Sequence, residues 1–186
     1  MGAILPRTFY RRDAVVVARD LLGKVLVKGE TSGVIVETEA YPGGDDLASH
    51  SAAGITKRTR VIFGPPGHAY VYFTYGMHVC MNVVTAPEGT AGCILIRALE
   101  PVTGLEIMRQ RRAAARTDRD LSSGPAKLTQ ALGIALSDYG ADLTRGDFVI
   151  QNPARPDEFS IEITPRIGIS KCVDLPLRFV MRPARR

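Results

Sequence analysis

The chain has 186 residues, 45% of them hydrophobic, enough for one sizeable core and too few for two comfortable domains. No apolar run approaches the length of a membrane span. The opening MGAILPRTFYRR also lacks both a signal-peptide core and the Ser or Thr of a myristoylation motif, so a soluble, intracellular protein is expected. The net charge of +5, carried by nineteen Arg and five Lys, suits a polyanionic partner without requiring one.

In chain order, Asp13 is placed to cap a helix through AVVVARDLL, which Gly23 ends. KVLVK and GVIVETEAY then flank the turn GETSG as a hairpin. Residues 42–68 read as loop around a short apolar patch, Val61-Ile62-Phe63. AYVYFTYGMHV and the MNVV that follows form a second hairpin, with Tyr70 and Tyr72 on one face, Ala69, Val71 and Phe73 on the other, and Tyr75 at the tip. GCILIRALEP is a strand buried on both faces that nevertheless contains Arg97, which needs a partner. TGLEIMRQRRAAAR and SGPAKLTQALGI are helices, the second with Pro125 at its first position and Gly133 near its end. Short strands follow in FVIQN, IEITPRIGI and PLRFVMR. The pattern predicts an α+β fold, one domain over 1–186, with a mixed or antiparallel sheet and peripheral helices.

The chemistry concentrates in GVIVETEAY. A period of two puts Ile35, Glu37, Glu39 and Tyr41 on one face and Val34, Val36, Thr38 and Ala40 on the other, the second being the core face. Two carboxylates on a strand are commonly a solvated sheet surface. Here, however, the strand runs into a Gly-rich loop with Tyr41, Asp45, Asp46 and His50, where a desolvated carboxylate can act as a general base. Arg97 is a candidate to orient a water for it. Glu37 and Glu39 as an acid and base pair are less suitable, because side chains at i and i+2 run parallel rather than opposed. Cys80, Cys93 and Cys172 are odd in number and lack C-x-x-C spacing, which predicts buried thiols. The three histidines lack tight ligand spacing, so no metal site is expected. No nucleophile-elbow motif is present and no lysine is marked out as an activated amine.

Four blocks in order, VETEAYPGGDDLASHS, AYVYFTYGMHVCMNV, ILIRALEPVTGLEIMRQRR and LSSGPAKLTQALGI, resemble the 3-methyladenine (alkyladenine) DNA glycosylase family, and the compact ends are similar to those of its bacterial members. The resemblance implies a monofunctional glycosylase of base-excision repair. Such an enzyme flips damaged purines from double-stranded DNA, hydrolyses the N-glycosidic bond and leaves an abasic site. 3-Methyladenine and 7-methylguanine are the implied substrates, with hypoxanthine and ethenoadenine as further ones. It implies a protruding hairpin that enters the minor groove, no cofactor, and a monomer working in the cytoplasm at the nucleoid.

Residue by residue, the resemblance makes Glu39 the general base, Arg97 a holder of the attacking water, and the backbone carbonyl near Ile167 a further water contact. Tyr41, His50 and Tyr72 would enclose the flipped base, and Asn82 would crowd the 2-amino group of guanine. Tyr75 would fill the gap the base leaves, with Met77 and His78 beside it in the groove. Lys57, Arg58, Arg60 and Lys127 are candidate phosphate contacts. Tyr70 is expected to pack beneath the hairpin, His68 to serve a turn, and Asp45 and Asp46 to serve their loop. Two other classes fit some of these features: a catalytically silent module that binds damaged nucleic acid, and a hydrolase of free nucleosides.

Overall fold

The computed structural model describes residues 2–74, 76–155 and 158–183. Its frame is an eight-stranded sheet in which every strand pairing is antiparallel. The strands are β1 (Val25–Lys28), β2 (Thr31–Tyr41), β3 (Ala69–Thr74), β4 (His78–Val84), β5 (Cys93–Thr103), β6 (Phe148–Gln151), β7 (Phe159–Thr164) and β8 (Arg178–Pro183). The order β3-β4-β5-β2-β1-β6 forms the main path, and β8 pairs with the second half of β2 while β7 pairs with β8. Among the described residues four α-helices accompany it: α1 (Arg7–Tyr10), α2 (Ala14–Asp20), α3 (Leu105–Arg111) and α4 (Pro125–Leu132). Among the described residues no helix is long and apolar enough to cross a membrane.

Local chemistry accounts for the helix ends. The Asp13 carboxylate accepts from the amides of Val15 and Val16, satisfying donors that would otherwise lack partners, a cap worth about 1 kcal/mol. Below it α2 buries Ala14, Val17 and Ala18, and the Thr38 hydroxyl of β2 donates to the Ala18 carbonyl at 2.8 Å. α4 starts with Pro125 and stops where Gly133 takes a left-handed conformation, φ +71°. α3 ends at Arg111, well short of the periodic pattern, because Arg112 leaves helical dihedrals and turns its guanidinium to Gln130 of α4.

The sequence reading misjudged two details of β2. The expected turn GETSG narrows to Gly29-Glu30, since Thr31, Ser32 and Gly33 pair with Lys28, Val27 and Leu26. Side-chain bonding draws these residues into the ladder: the Thr31 hydroxyl donates to the Lys28 carbonyl, and the Ser32 and Thr103 hydroxyls bond at 2.8 Å. The predicted division of faces also fails. Ile35 pairs with Leu99, Glu37 with Ala98 and Thr38 with Ile96, so a bulge at Val36 resets the alternation. Ile35 therefore joins Ala40 and Ile96 in the main core, and only Glu37 and the residues after it keep the predicted phase.

The sheet then has two unlike faces. One carries Ile35, Ala40, Ala69, Val71, Met81, Val83, Ile94 and Ile96 into a core with Val17, Leu128 and Leu132. Full burial of each such aliphatic side chain stabilises by roughly 1.5 to 3 kcal/mol. The other holds a small cluster of Ile62, Tyr70, Val84 and Cys93. The Val61-Ile62-Phe63 patch reaches it as a short 3-10 turn over Arg60–Phe63. Beyond that cluster this face opens into a cleft.

Candidate active site

The cleft has a volume of about 490 Å³ and is bordered by Tyr41, His50, Tyr72, Asn82, Arg97 and Ile167. Each comes from a different position along the open face: Tyr41 ends β2, Tyr72 lies on β3, Asn82 on β4, Arg97 on β5, and His50 opens a 3-10 turn in the loop after β2. Alternation places them there. On β3, Ala69 and Val71 point into the main core, leaving Tyr70 and Tyr72 for the cleft side, as the sequence predicts.

Glu39 is fully buried behind this lining. Its Oε1 accepts from the Ile167 amide at 2.7 Å and lies 3.3 Å from Arg97 Nη1, while its Oε2 accepts from the Tyr41 hydroxyl at 3.0 Å. A carboxylate removed from water needs such donors to remain tolerable. The Tyr41 hydroxyl is held in its protonated, donating form, because burial and then the Glu39 charge raise its pKa.

Arg97 joins two carboxylates. Its Nε donates to Glu37 Oε1 at 2.8 Å, and Glu37 Oε1 also accepts from Arg178 Nε at 2.7 Å. Arg178 in turn donates to the Thr164 hydroxyl at 2.9 Å. Burial pushes the Glu37 pKa up, but the hydrogen bonds from Arg178 and Arg97 outweigh it and the net shift is downward. Glu37 is therefore a charged anchor for two arginines, which explains how a strand buried on both faces accommodates Arg97.

The aromatic wall is interlocked. Tyr72 stacks on Tyr70 with ring centroids 4.9 Å apart, and His50 meets Tyr72 edge-on at 4.8 Å. Such pairs are worth about 0.5 to 1.5 kcal/mol beyond their buried area. His50 Nδ1 lies 2.9 Å from the Tyr70 hydroxyl. Burial, then the nearby Arg58 charge, lowers the His50 pKa, favouring the neutral ring. Burial pushes the Tyr70 hydroxyl up to about 12, so it keeps its proton and can donate to Nδ1. Where the hydroxyl donates, the imidazole proton sits on Nε2. On β4, Asn82 donates from Nδ2 to Cys93 Sγ at 3.2 Å, and its buried Oδ1 has no partner among the described residues. Cys80 and Cys93 are buried as expected, whereas Cys172 is partly exposed.

Of the remaining predicted site residues, Arg58 reaches the aromatic wall, with its guanidinium 5.4 Å from the Tyr72 ring centroid, and the others lie outside this cluster. Met77 is 70% exposed at the β3–β4 connection and His78 is exposed beside it, while Tyr75 lies outside the described residues. Lys57, Arg58 and Arg60 are exposed along a shallow groove with Val71, Phe73 and Tyr139. Lys127 is exposed on the first turn of α4 and donates to the Ser123 hydroxyl. Sequence reasoning missed Arg178 and Arg166. It left Asp46 to its loop, yet Asp46 and Arg166 form a buried ion pair with contacts of 2.6 and 2.7 Å. Nothing local marks that pair, because its members stand 120 residues apart.

Comparison with known proteins identifies relatives of the chain. Residues 8–185 match the profile of a family described as Methylpurine-DNA glycosylase (MPG). A proposed 3-methyladenine DNA glycosylase of Methanoculleus marisnigri is 53% identical over 189 residues, covering 97% of this chain and 96% of the relative. Proteins of the same description from Carboxydothermus hydrogenoformans and Koribacter versatilis are 52% and 49% identical. Each covers 96% of this chain, and the alignments span 95% and 90% of those relatives.

Proposed function

The chain belongs to the methylpurine-DNA glycosylase family, and from that membership we propose that it excises alkylated purines by admitting a flipped nucleotide to the aromatic cleft and hydrolysing its N-glycosidic bond with a water activated by Glu39. The enzyme is a DNA glycosylase for alkylated purines. 3-Methyladenine and 7-methylguanine are the proposed main substrates, and hypoxanthine and ethenoadenine are further candidates.

The observation that carries the reading is a fully buried carboxylate held by Tyr41, Arg97 and Ile167, three residues that border a cleft also walled by His50 and Tyr72. Extruding a base costs a few kcal/mol of stacking, and aromatic walls return about 1 to 3 kcal/mol per base. An N-alkylated purine is cationic, and electron-rich rings add roughly 0.5 to 2 kcal/mol of cation–π attraction. Such a base is also a good leaving group. As the glycosidic bond breaks, its electrons pass to the purine; the water oxygen bonds to C1′ and its proton passes to Glu39. The charge on Glu39 also opposes the positive charge that develops on the sugar.

Arg97, with one nitrogen on Glu37 and another near Glu39, would hold the water together with the Ile167 backbone carbonyl. His50 Nε2 would present a proton to the base edge. Asn82 would crowd a guanine 2-amino group, and Met77, His78 and Tyr75 would enter the minor groove. Lys57, Arg58, Arg60 and Lys127 would contact phosphates, and the protein would act as a monomer at the nucleoid without a cofactor.

The direct test is incubation with duplexes bearing each of the four lesions, followed by separate analysis of released bases and of strand scission. Free base with an intact, alkali-labile strand is expected. No release from any duplex would refute the reading, and scission without alkali would indicate a lyase. Binding of lesion duplexes without release would favour the silent module. The nucleoside-hydrolase alternative would be supported if Tyr75→Ala left duplex excision unchanged.

A further inference from the structure

The Asp46–Arg166 ion pair lies outside the cleft lining, yet it meets the Tyr41 ring that borders the cleft and the Ala40 carbonyl beside it. Arg166 Nη1 and Nη2 grip the two oxygens of Asp46 at 2.6 and 2.7 Å, and Nη1 also donates to the Ala40 carbonyl at 3.1 Å. Its guanidinium sits over the Tyr41 ring, 4.6 Å from the centroid. The next residue, Ile167, supplies the amide that binds Glu39 Oε1. One side chain thereby joins the end of β2, the loop after it and the segment between β7 and β8.

Stability alone is a poor reason for this arrangement. Both partners are almost completely buried, with 0% and 2% of their side chains exposed, and Arg166 Nε is buried with no partner among the described residues. Desolvating two charges consumes most of what their attraction supplies, and well-packed apolar residues commonly replace such pairs without loss. The planar fork of arginine offers directional control instead, and lysine cannot reproduce it.

We infer that Arg166, held by Asp46, is a positioning residue for catalysis: it fixes the Ile167 amide on Glu39 and backs the Tyr41 ring against the base. The inference rests on the proposed hydrolysis. Tyr41 borders the cleft and Arg166 does not, so the guanidinium takes one side of the ring and leaves the other for a purine. With that support removed, both the carboxylate and the wall can drift. Displacements of about 1 Å in a catalytic geometry cost on the order of 100-fold in rate.

The test compares wild type, Arg166→Ala, Arg166→Lys and the paired apolar replacement Asp46→Leu/Arg166→Met. Single-turnover release of 3-methyladenine from methylated duplex DNA is followed at saturating enzyme, and thermal unfolding of each protein is measured in parallel. Arg166→Ala is expected to be slower by about 100-fold and to regain at least about tenfold with added guanidinium ion, which can reoccupy the vacated space. Arg166→Lys, retaining charge without the fork, should also be slow, and the apolar pair should melt near wild type while staying slow. The inference is overturned if Arg166→Ala keeps pace with wild type to within about threefold. It is equally overturned if guanidinium gives no recovery and the loss in every variant matches its unfolded fraction. A wild type that releases no base refutes the proposed hydrolysis itself.

Discussion

The two halves of β2 share one strand but face different demands. Before the bulge at Val36, Thr31 to Ile35 pair with β1 and β5, and Ile35 packs into the main core. After it, Glu37 to Glu39 pair with β8, and the strand presents Glu37 and Glu39 to Arg97 and ends with Tyr41 at the cleft. The bulge lets one strand serve as scaffold and then as site, because resetting the alternation buries Ile35 without burying Glu37 on the same side. A strict period of two would have forced a choice between core and chemistry.

Substitutions on either side of the bulge should separate activity from stability. The largest effect is expected from Glu39→Gln, which should slow base release by about 1000-fold. Binding to lesion-bearing duplex should persist, and unfolding free energy should move by no more than about 1 kcal/mol. Comparable excision by mutant and wild type in a single-turnover assay would remove Glu39 from the mechanism. Ile35→Ala should show the opposite profile. It deletes part of a fully buried aliphatic side chain at a cost of about 2 to 5 kcal/mol in denaturant unfolding, while the folded fraction excises normally.

Glu37 tests the boundary itself. Its pKa is lowered in the folded state, so its stabilising contribution is complete above the ordinary carboxylate range and disappears as pH falls through the lowered value. Glu37→Gln should therefore cost about 1 to 3 kcal/mol near neutrality and flatten the acid limb of a stability profile. An unchanged acid limb would mean that Arg97 and Arg178 do not depend on this carboxylate. The smallest change is expected from Ser32→Ala, which loses the bond to Thr103, costs about 1 kcal/mol in thermal unfolding and leaves excision untouched.

Much of this architecture is legible in the residues. The cap at Asp13, Pro125 opening α4 and the tyrosine alternation are local signals, and local chemistry produces what they announce, while the sequence blocks around Glu39 and Arg97 announce the family that the profile match shows. The bulge is different, since it is a property of β2 against β5, and nothing in VETEAY alone says that Val36 is passed over in the pairing. Asp46 gave no sign that it would meet Arg166, and Glu37 none that it would meet Arg178. Long-range pairing of charges depends on the completed sheet, which a reading of neighbouring residues does not reach. The same holds for α3, whose pattern continues past the point where contact with α4 ends it.

The placement of β8 against β2 also has a meaning for synthesis on the ribosome. Glu37 pairs with Val180, and the amide on Glu39 belongs to Ile167, so the surroundings of Glu39 are completed by a segment that lies 128 positions later in the chain. Domains form as their residues emerge. A nascent chain can already display the tyrosine hairpin and the basic segment near Arg58 while the surroundings of Glu39 stay incomplete until β8 and the segment before it dock. In this topology, the surroundings of Glu39 close late in synthesis rather than early.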